Sequence, residues 1–189
     1  LDNLNYLVRE MTGFLHIGVS RLARLHAPVI ASINGVAAGA GLSLMAICDL
    51  AIACKSATFT SAYTKVGLSP DGSSTYFLQR LLNRRRLMEL YLTNRVLNSN
   101  EALEWGLMNK VVDDNLLEEE TSKLALSLAN GPTLAYSSVK KLLNETWTET
   151  LETQMERETI EIAKMTQTQD AQNGIKSFVN KEKPNFNGN

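Results

Sequence analysis

The chain has 189 residues, 44% of them hydrophobic and 21% charged, and its net charge is -1. This is ordinary globular composition, and at this length roughly 70% of the unfolded surface can be buried. The near-neutral balance gives no general attraction to nucleic acid or to an anionic membrane, so neither is expected as a partner.

The one dense basic run, Arg84-Arg85-Arg86, reads as a solvated helix face. The longest apolar runs fall short of the roughly 20 residues that a bilayer span requires. The opening stretch, LDNLNYLVREM, lacks a basic region followed by an apolar block, the pattern of a secretory leader. It has no initiator methionine and starts as if within a helix, so upstream sequence is expected. Cys48 and Cys54 lie in an apolar stretch with no second cysteine pair or histidine cluster to build a metal site. They read as buried thiols of a reducing, cytoplasmic protein.

Residues 4–25 carry apolar side chains at helical steps: Leu4, Leu7, Val8, Met11, Leu15, Val19, Leu22 and Leu25. His26-Ala27-Pro28 ends this helix, because proline cannot continue it. PVIASING is a short β-rich run closed by the turn pair Asn34-Gly35. VAAGAGLSLMAICD reads as a tight turn into a buried helix, LAIAC (50–54) as a second buried strand and ATFTS (57–61) as a third. Strand, helix, strand in this order predicts a crossover unit and an α/β fold. A helix is expected from just after Asp71 to about Leu82, and another over roughly 84–93. Asn98 with Glu101 forms a capping-box pattern before a short helix ending near Gly106. LMNKVV is then a strand. From Leu116 the pattern is helical, broken at Gly131-Pro132 and weakly at Gly174, and the polar end NKEKPNFNGN reads as frayed. The layout is an α/β part over 1–130 and a helical part over 131–189.

Two stretches could carry chemistry. Between Gly35 and Leu42 only Val36 and Leu42 are bulky, so another backbone or a ligand can approach closely. A helix start directly after such a turn offers free N–H groups to an oxyanion, although small residues also serve tight packing. The dinucleotide spacing G-x-G-x-x-G fails, with Leu44 where the third glycine would stand. Serine hydrolysis fits poorly. Ser43 lies in GLSLM rather than G-x-S-x-G, and His16 and His26 have no evident orienting carboxylate. The second stretch is GLSPDGSSTYFLQR. Pro-Asp-Gly is turn chemistry, and an Asp at a helix start can cap orphan N–H groups. Yet Asp71 and Asp49 are the only carboxylates between Glu10 and Glu89.

Taken together, HAPVIASINGVAAGAGLSLMAICDLAIA, ATFTSAYTKVGLSPDGSSTYFLQRLL, LNSNEALEWGLMNKVV and GIKSFVNKEKPNF resemble the crotonase (enoyl-CoA hydratase/isomerase) superfamily. They occur in that family's order and cover nearly the whole chain. The resemblance implies a ββα spiral followed by C-terminal helices that trimerise, with a homotrimer or a dimer of trimers expected. It also implies that the family's first turns precede a helix like residues 4–25. The substrate implied is an acyl-CoA thioester, with no cofactor beyond the CoA that the substrate carries. Its thioester oxygen would be held by two backbone N–H groups, one of them that of Ala40. Hydratases of the family carry two glutamates, at positions that are Ser43 and Tyr63 here. Isomerases, including the enoyl-CoA delta isomerase and epoxyphenylacetyl-CoA isomerase branch, carry an acid at the position of Asp71. The resemblance therefore points to an isomerase with Asp71 as the proton-transferring acid. Ser43, Tyr63, Val66 and Leu68 would line the acyl pocket, with core packing as the plain alternative for Val66 and Leu68. Phe178 and Lys181 would reach the CoA nucleotide, or else be a helix-packing ring and a solvated charge.

Overall fold

The computed structural model describes residues 3–189; Leu1 and Asp2, on which the expected first domain begins, lie outside the described residues. The chain gathers into two compact units. One runs to Ala23 and resumes over Val29–Thr121; the other joins Arg24–Pro28 to Ser122–Asn189.

The first unit opens with helix α1 (Leu4–Ala23), in which Val19 is the buried side chain. Leu4, Leu7, Val8 and Met11 of the expected apolar stripe are exposed. Six short strands follow, at Ile30–Ile33 (β1), Val36–Ala38 (β2), Leu50–Cys54 (β3), Thr58–Thr60 (β4), Leu97–Asn98 (β5) and Lys110–Val112 (β6). They divide between two sheets, ordered β1-β3-β6 and β2-β4-β5, and alternate between them from β1 to β4. Strand β1 pairs parallel with β3, setting Ile30 against Leu50 and Ile33 against Ala53. Helix α2 (Ala40–Ile47) lies in the crossover between them, as strand-helix-strand order predicts. Strand β3 is buried along Ala51–Cys54, which explains its continuous apolar run.

Strand β2 departs from the expected tight turn. Val36–Ala38 is extended because Thr58–Thr60 pairs with it, placing Ala37 against Phe59 and Ala38 against Thr60. Asn34-Gly35 therefore links strands of different sheets. Helices α3 (Ser74–Leu81), α4 (Arg84–Thr93) and α5 (Ser99–Trp105) complete most of the unit. The capping box forms as expected, with Glu101 N–H donating to Asn98 Oδ1 and Asn98 N–H to Glu101 Oε2, both at 2.9 Å. Buried Ser99 places its hydroxyl within 2.7 Å of the Cys54 carbonyl and 2.9 Å of that of Ala57, fixing α5 against the β3–β4 turn. Cys54 is buried on β3, whereas Cys48 is only half-buried.

The second unit contains α7 (Thr133–Glu145), α8 (Leu151–Met165) and α9 (Gln169–Asn180), while α6 (Leu117–Ala129) spans the division between the units. Thr150 and Thr168 cap α8 and α9 by accepting from Thr153 and Ala171 N–H, so the helical stretch breaks at more places than Gly131-Pro132. Gly174 does not interrupt α9. A Cβ there would lie 3.3 Å from the Phe186 ring, so the missing side chain makes room for the tail. Nor is the tail frayed. The carboxylate of Asp170, 2% exposed, accepts from Asn187 N–H at 2.7 Å and Gly188 N–H at 2.9 Å.

Buried Glu161 ties α8 to α7. It accepts from Ser138 Oγ and Lys141 Nζ, both at 2.8 Å, and from Lys164 Nζ at 3.1 Å. The Lys141 ammonium first, then the Ser138 hydroxyl and Lys164, hold its carboxyl down at about 2 against an ordinary 4.5. A carboxyl depressed on folding adds stability that is present above its unfolded value and lost as pH falls through its folded one. The urea midpoint should therefore fall from about pH 4.5 towards about 2. In Glu161→Gln, whose deficit is largest at neutral pH, the gap to the parent should close across that window. A gap independent of pH would show that the ion pair is not its source.

Candidate functional site

The site is built where α2, the Tyr63 turn and the Asp71 turn meet in the first unit. Each piece is set by local backbone that side chains rarely tolerate. Gly39 precedes α2 with φ 53° and ψ -122°, a conformation open to glycine. Ala40 is therefore the first residue of α2, and the N–H groups of its first turn have no acceptor within the helix. Ala40 is exposed.

Tyr63 follows Ala62, whose φ of 58° is left-handed for a residue with a side chain. The segment is held by its flanks. Ser61 Oγ donates to the Leu90 carbonyl at 2.9 Å, and Asn94 Nδ2 donates to Thr64 Oγ1 at 2.7 Å. The amides of Val66 and Leu68 donate to the Tyr63 carbonyl, rounding the turn. Beyond Asp71, Gly72 and Ser73 take φ 59° and 62° in succession before α3 begins at Ser74. A Cβ on Gly72 would lie 3.0 Å from Ser43 Cβ and 3.5 Å from Leu15 on α1. Glycine thus lets the Asp71 turn close onto α2.

These constraints bring Ser43, Tyr63 and Asp71 together. Tyr63 Oη donates to Asp71 Oδ1 at 2.6 Å. Ser43 Oγ lies 3.1 Å from Tyr63 Oη, 3.1 Å from the Asp71 carbonyl and 3.2 Å from that of Gly39. Ser43 is fully buried, while Tyr63 and Asp71 are half-buried. Burial first, and then the bond to Asp71, push the Tyr63 phenol up to about 12. It is therefore a hydrogen-bond donor throughout the neutral range.

The cap reading of Asp71 fails on this geometry. Ser73 occupies the cap position without a capping side-chain bond, and the Asp71 carboxylate turns to Tyr63 instead. Core packing fails for Val66 and Leu68, which are 70% and 58% exposed beside Tyr63. Phe178, expected as a packed ring or a CoA contact, is 85% exposed in the last turn of α9, and Lys181 caps that helix with φ 59°. Both belong to the second unit. His16 and His26 are exposed, and His26 Nδ1 pairs with Ser137 Oγ. Among the described residues no group of three or more His, Cys, Asp or Glu is placed to hold a metal, and no helix is long and apolar enough to cross a membrane. In the sequence Gly72 reads only as part of the Pro-Asp-Gly turn and Leu15 only as part of the apolar stripe of residues 4–25, and nothing local to Leu15 signals its place beside the site.

The comparisons with known proteins converge on one family. The enoyl-CoA hydratase/isomerase family matches residues 13–189. The chain is 40% identical over 170 residues to the 1,2-epoxyphenylacetyl-CoA isomerase of Escherichia coli, covering 90% of this chain and 65% of that protein. It is 39% identical over 145 residues to 4-chlorobenzoyl coenzyme A dehalogenase-1 of an Arthrobacter species, covering 77% and 52%. The chain thus spans less than two thirds of the length of these relatives. The solved structure of an enoyl-CoA hydratase/isomerase from Cupriavidus metallidurans superimposes with a TM-score of 0.92 at 29% identity, covering 99% of this chain and 72% of that one.

Proposed function

Since this chain belongs to the enoyl-CoA hydratase/isomerase family and has the crotonase fold, we propose that it is an acyl-CoA isomerase. It would shift a double bond, or rearrange an epoxide, in an enoyl-CoA-type thioester. The observation that carries this reading is the single carboxylate of the cluster. The Asp71 carboxylate meets the Tyr63 hydroxyl, which lies beside Ser43 Oγ, and Ser43 and Tyr63 stand at the positions where the family resemblance puts the two hydratase glutamates.

The chemistry follows from what one carboxylate can do. A thioester holds its α-protons too tightly for a carboxylate alone. An N–H aimed at the thioester oxygen stabilises the enolate, and a modest base then suffices. The free first turn of α2 supports Ala40 N–H as one such donor. Asp71 takes the α-proton and returns it two carbons away, leaving the oxidation state unchanged, so no redox cofactor is invoked. Addition of water needs a second acid–base group, which a phenol at about 12 and a buried serine do not supply.

The CoA nucleotide would lie against Phe178 and Lys181, the lysine serving phosphate as a point charge. The exposure of Leu143, Leu151 and Ile162, together with an apolar groove of about 530 Å³ lined by Val139, Leu142, Met155 and Ile162, supports association between copies of the chain, and the family resemblance implies a homotrimer or dimer of trimers.

A second reading has an observation behind it, the 39% identity to a 4-chlorobenzoyl-CoA dehalogenase. A carboxylate can also attack as a nucleophile. The deciding experiment incubates the protein with a 3-enoyl-CoA, a 2-enoyl-CoA and a 4-chlorobenzoyl-CoA. Double-bond migration supports the isomerase. Water addition or chloride release would move the chain to another branch, and binding without turnover to a silent acyl-CoA binder.

A further inference from the structure

Resting on the isomerase reading, we propose that Tyr63, braced by Ser43, is a positioning residue for Asp71: it holds Oδ1 and leaves Oδ2 as the one oxygen that removes and returns the substrate proton. The bond carrying this is the 2.6 Å contact from Tyr63 Oη to Asp71 Oδ1, within the range of charge-assisted O–H···O⁻ bonds.

The direction of the Tyr63–Asp71 bond is fixed by hydrogen count. An ionised carboxylate only accepts, and a phenol has one hydrogen, so that hydrogen goes to Asp71. Tyr63 Oη is then left as an acceptor, and the nearest donor is Ser43 Oγ at 3.1 Å. The single Ser43 hydrogen is shared among Tyr63 Oη and the carbonyls of Asp71 and Gly39, at 3.1, 3.1 and 3.2 Å, so Ser43 ties the phenol oxygen to the backbone on either side of it. Ser43 is fully buried and cannot turn to solvent. The Gly72 backbone closes over it, where even a methyl group would crowd Ser43 Cβ at 3.0 Å. Gly39 stands behind the phenol, with its hypothetical Cβ 3.9 Å from Tyr63 Cζ. Ser43 is thus held by its burial under the Gly72 turn, and the phenol beside it by the bond to Asp71.

This arrangement has a specific consequence for a one-base shuttle. A carboxylate free to rotate presents either oxygen and can trade its proton with water. One pinned at Oδ1 takes the α-proton on Oδ2, and Tyr63 still donates to Oδ1 after the proton has arrived. No regrouping of hydrogen bonds is needed between the two half-reactions. The C–H bond at the α-carbon breaks, the electron pair moves into the enolate, and the same proton forms the new C–H bond two carbons on. Atoms and charge balance within substrate and Asp71.

The test uses Tyr63→Phe, which keeps the ring and removes only the hydroxyl. With a 3-enoyl-CoA deuterated at the α-carbon, the expected result is a fall in kcat of about 10- to 100-fold with KM and melting temperature nearly unchanged. The share of deuterium carried into the product should fall as well. Independently of turnover, proton NMR of the parent should show a downfield hydroxyl signal that disappears in Tyr63→Phe and moves upfield in Asp71→Asn. Parental kcat and label transfer in Tyr63→Phe, or no such signal in the parent, would overturn the positioning role. A parent that binds acyl-CoA, shows the signal and moves no double bond would instead overturn the isomerase reading, and the shuttle with it.

Discussion

Asp71→Asn is expected to lower the rate of double-bond migration by about 10²–10⁴-fold while a non-reacting acyl-CoA still binds as in the parent. The substitution is close to isosteric, and the amide oxygen can still accept from Tyr63 Oη, so the 2.6 Å contact and the turn around it have no reason to change. What disappears is the basic oxygen. The measurement is turnover of a 3-enoyl-CoA beside a binding titration, with parent and variant at the same ionic strength. Equal rates would return Asp71 to the role of a turn residue and send the chemistry elsewhere. A loss of binding together with rate would mean that the carboxylate shapes the site rather than acting in it.

The second large effect lies at the start of α2. Proline is accepted at the first position of a helix, where its missing N–H would have no intrahelical partner. Ala40→Pro thus deletes one donor and little else, and should lower kcat by about 10²–10³-fold, as expected for loss of one oxyanion contact. Ala40→Gly keeps the N–H and serves as the comparison. If Gly and Pro reduce the rate alike, the methyl group matters and the N–H does not. If neither does, the thioester oxygen is held elsewhere. The backbone at Gly39 has φ 53° and ψ -122°, and the placement of this donor depends on that residue remaining glycine.

Features written in neighbouring residues were legible in the sequence. The capping box at Asn98 and Glu101, the buried strand LAIAC and the crossover between β1 and β3 all depend on short-range pattern and chain order. Features that need a distant partner were not. Val36–Ala38 is a strand because Thr58–Thr60 lies beside it, and nothing within VAA announces that. The tail is ordered because a carboxylate at 170 meets amides at 187 and 188, a pairing that composition hides. At the site, the residue types of Ser43, Tyr63 and Asp71 were readable, but their contact was not. It depends on left-handed backbone at Ala62 and Ser73, where the residues themselves give no warning. Tyr63 was accordingly expected to line a pocket, and its bond to the carboxylate emerged only in three dimensions.

The Asp170 clasp implies an uncommon pattern of isotope uptake. Amides so near the last residues of a sequence ordinarily exchange with solvent almost at once. Those of Asn187 and Gly188 are instead bonded to a carboxylate that is 2% exposed at the beginning of α9. Their deuterium uptake should therefore keep time with the opening of that helix, so that two amides beyond the last helical residue act as a clock for its unfolding.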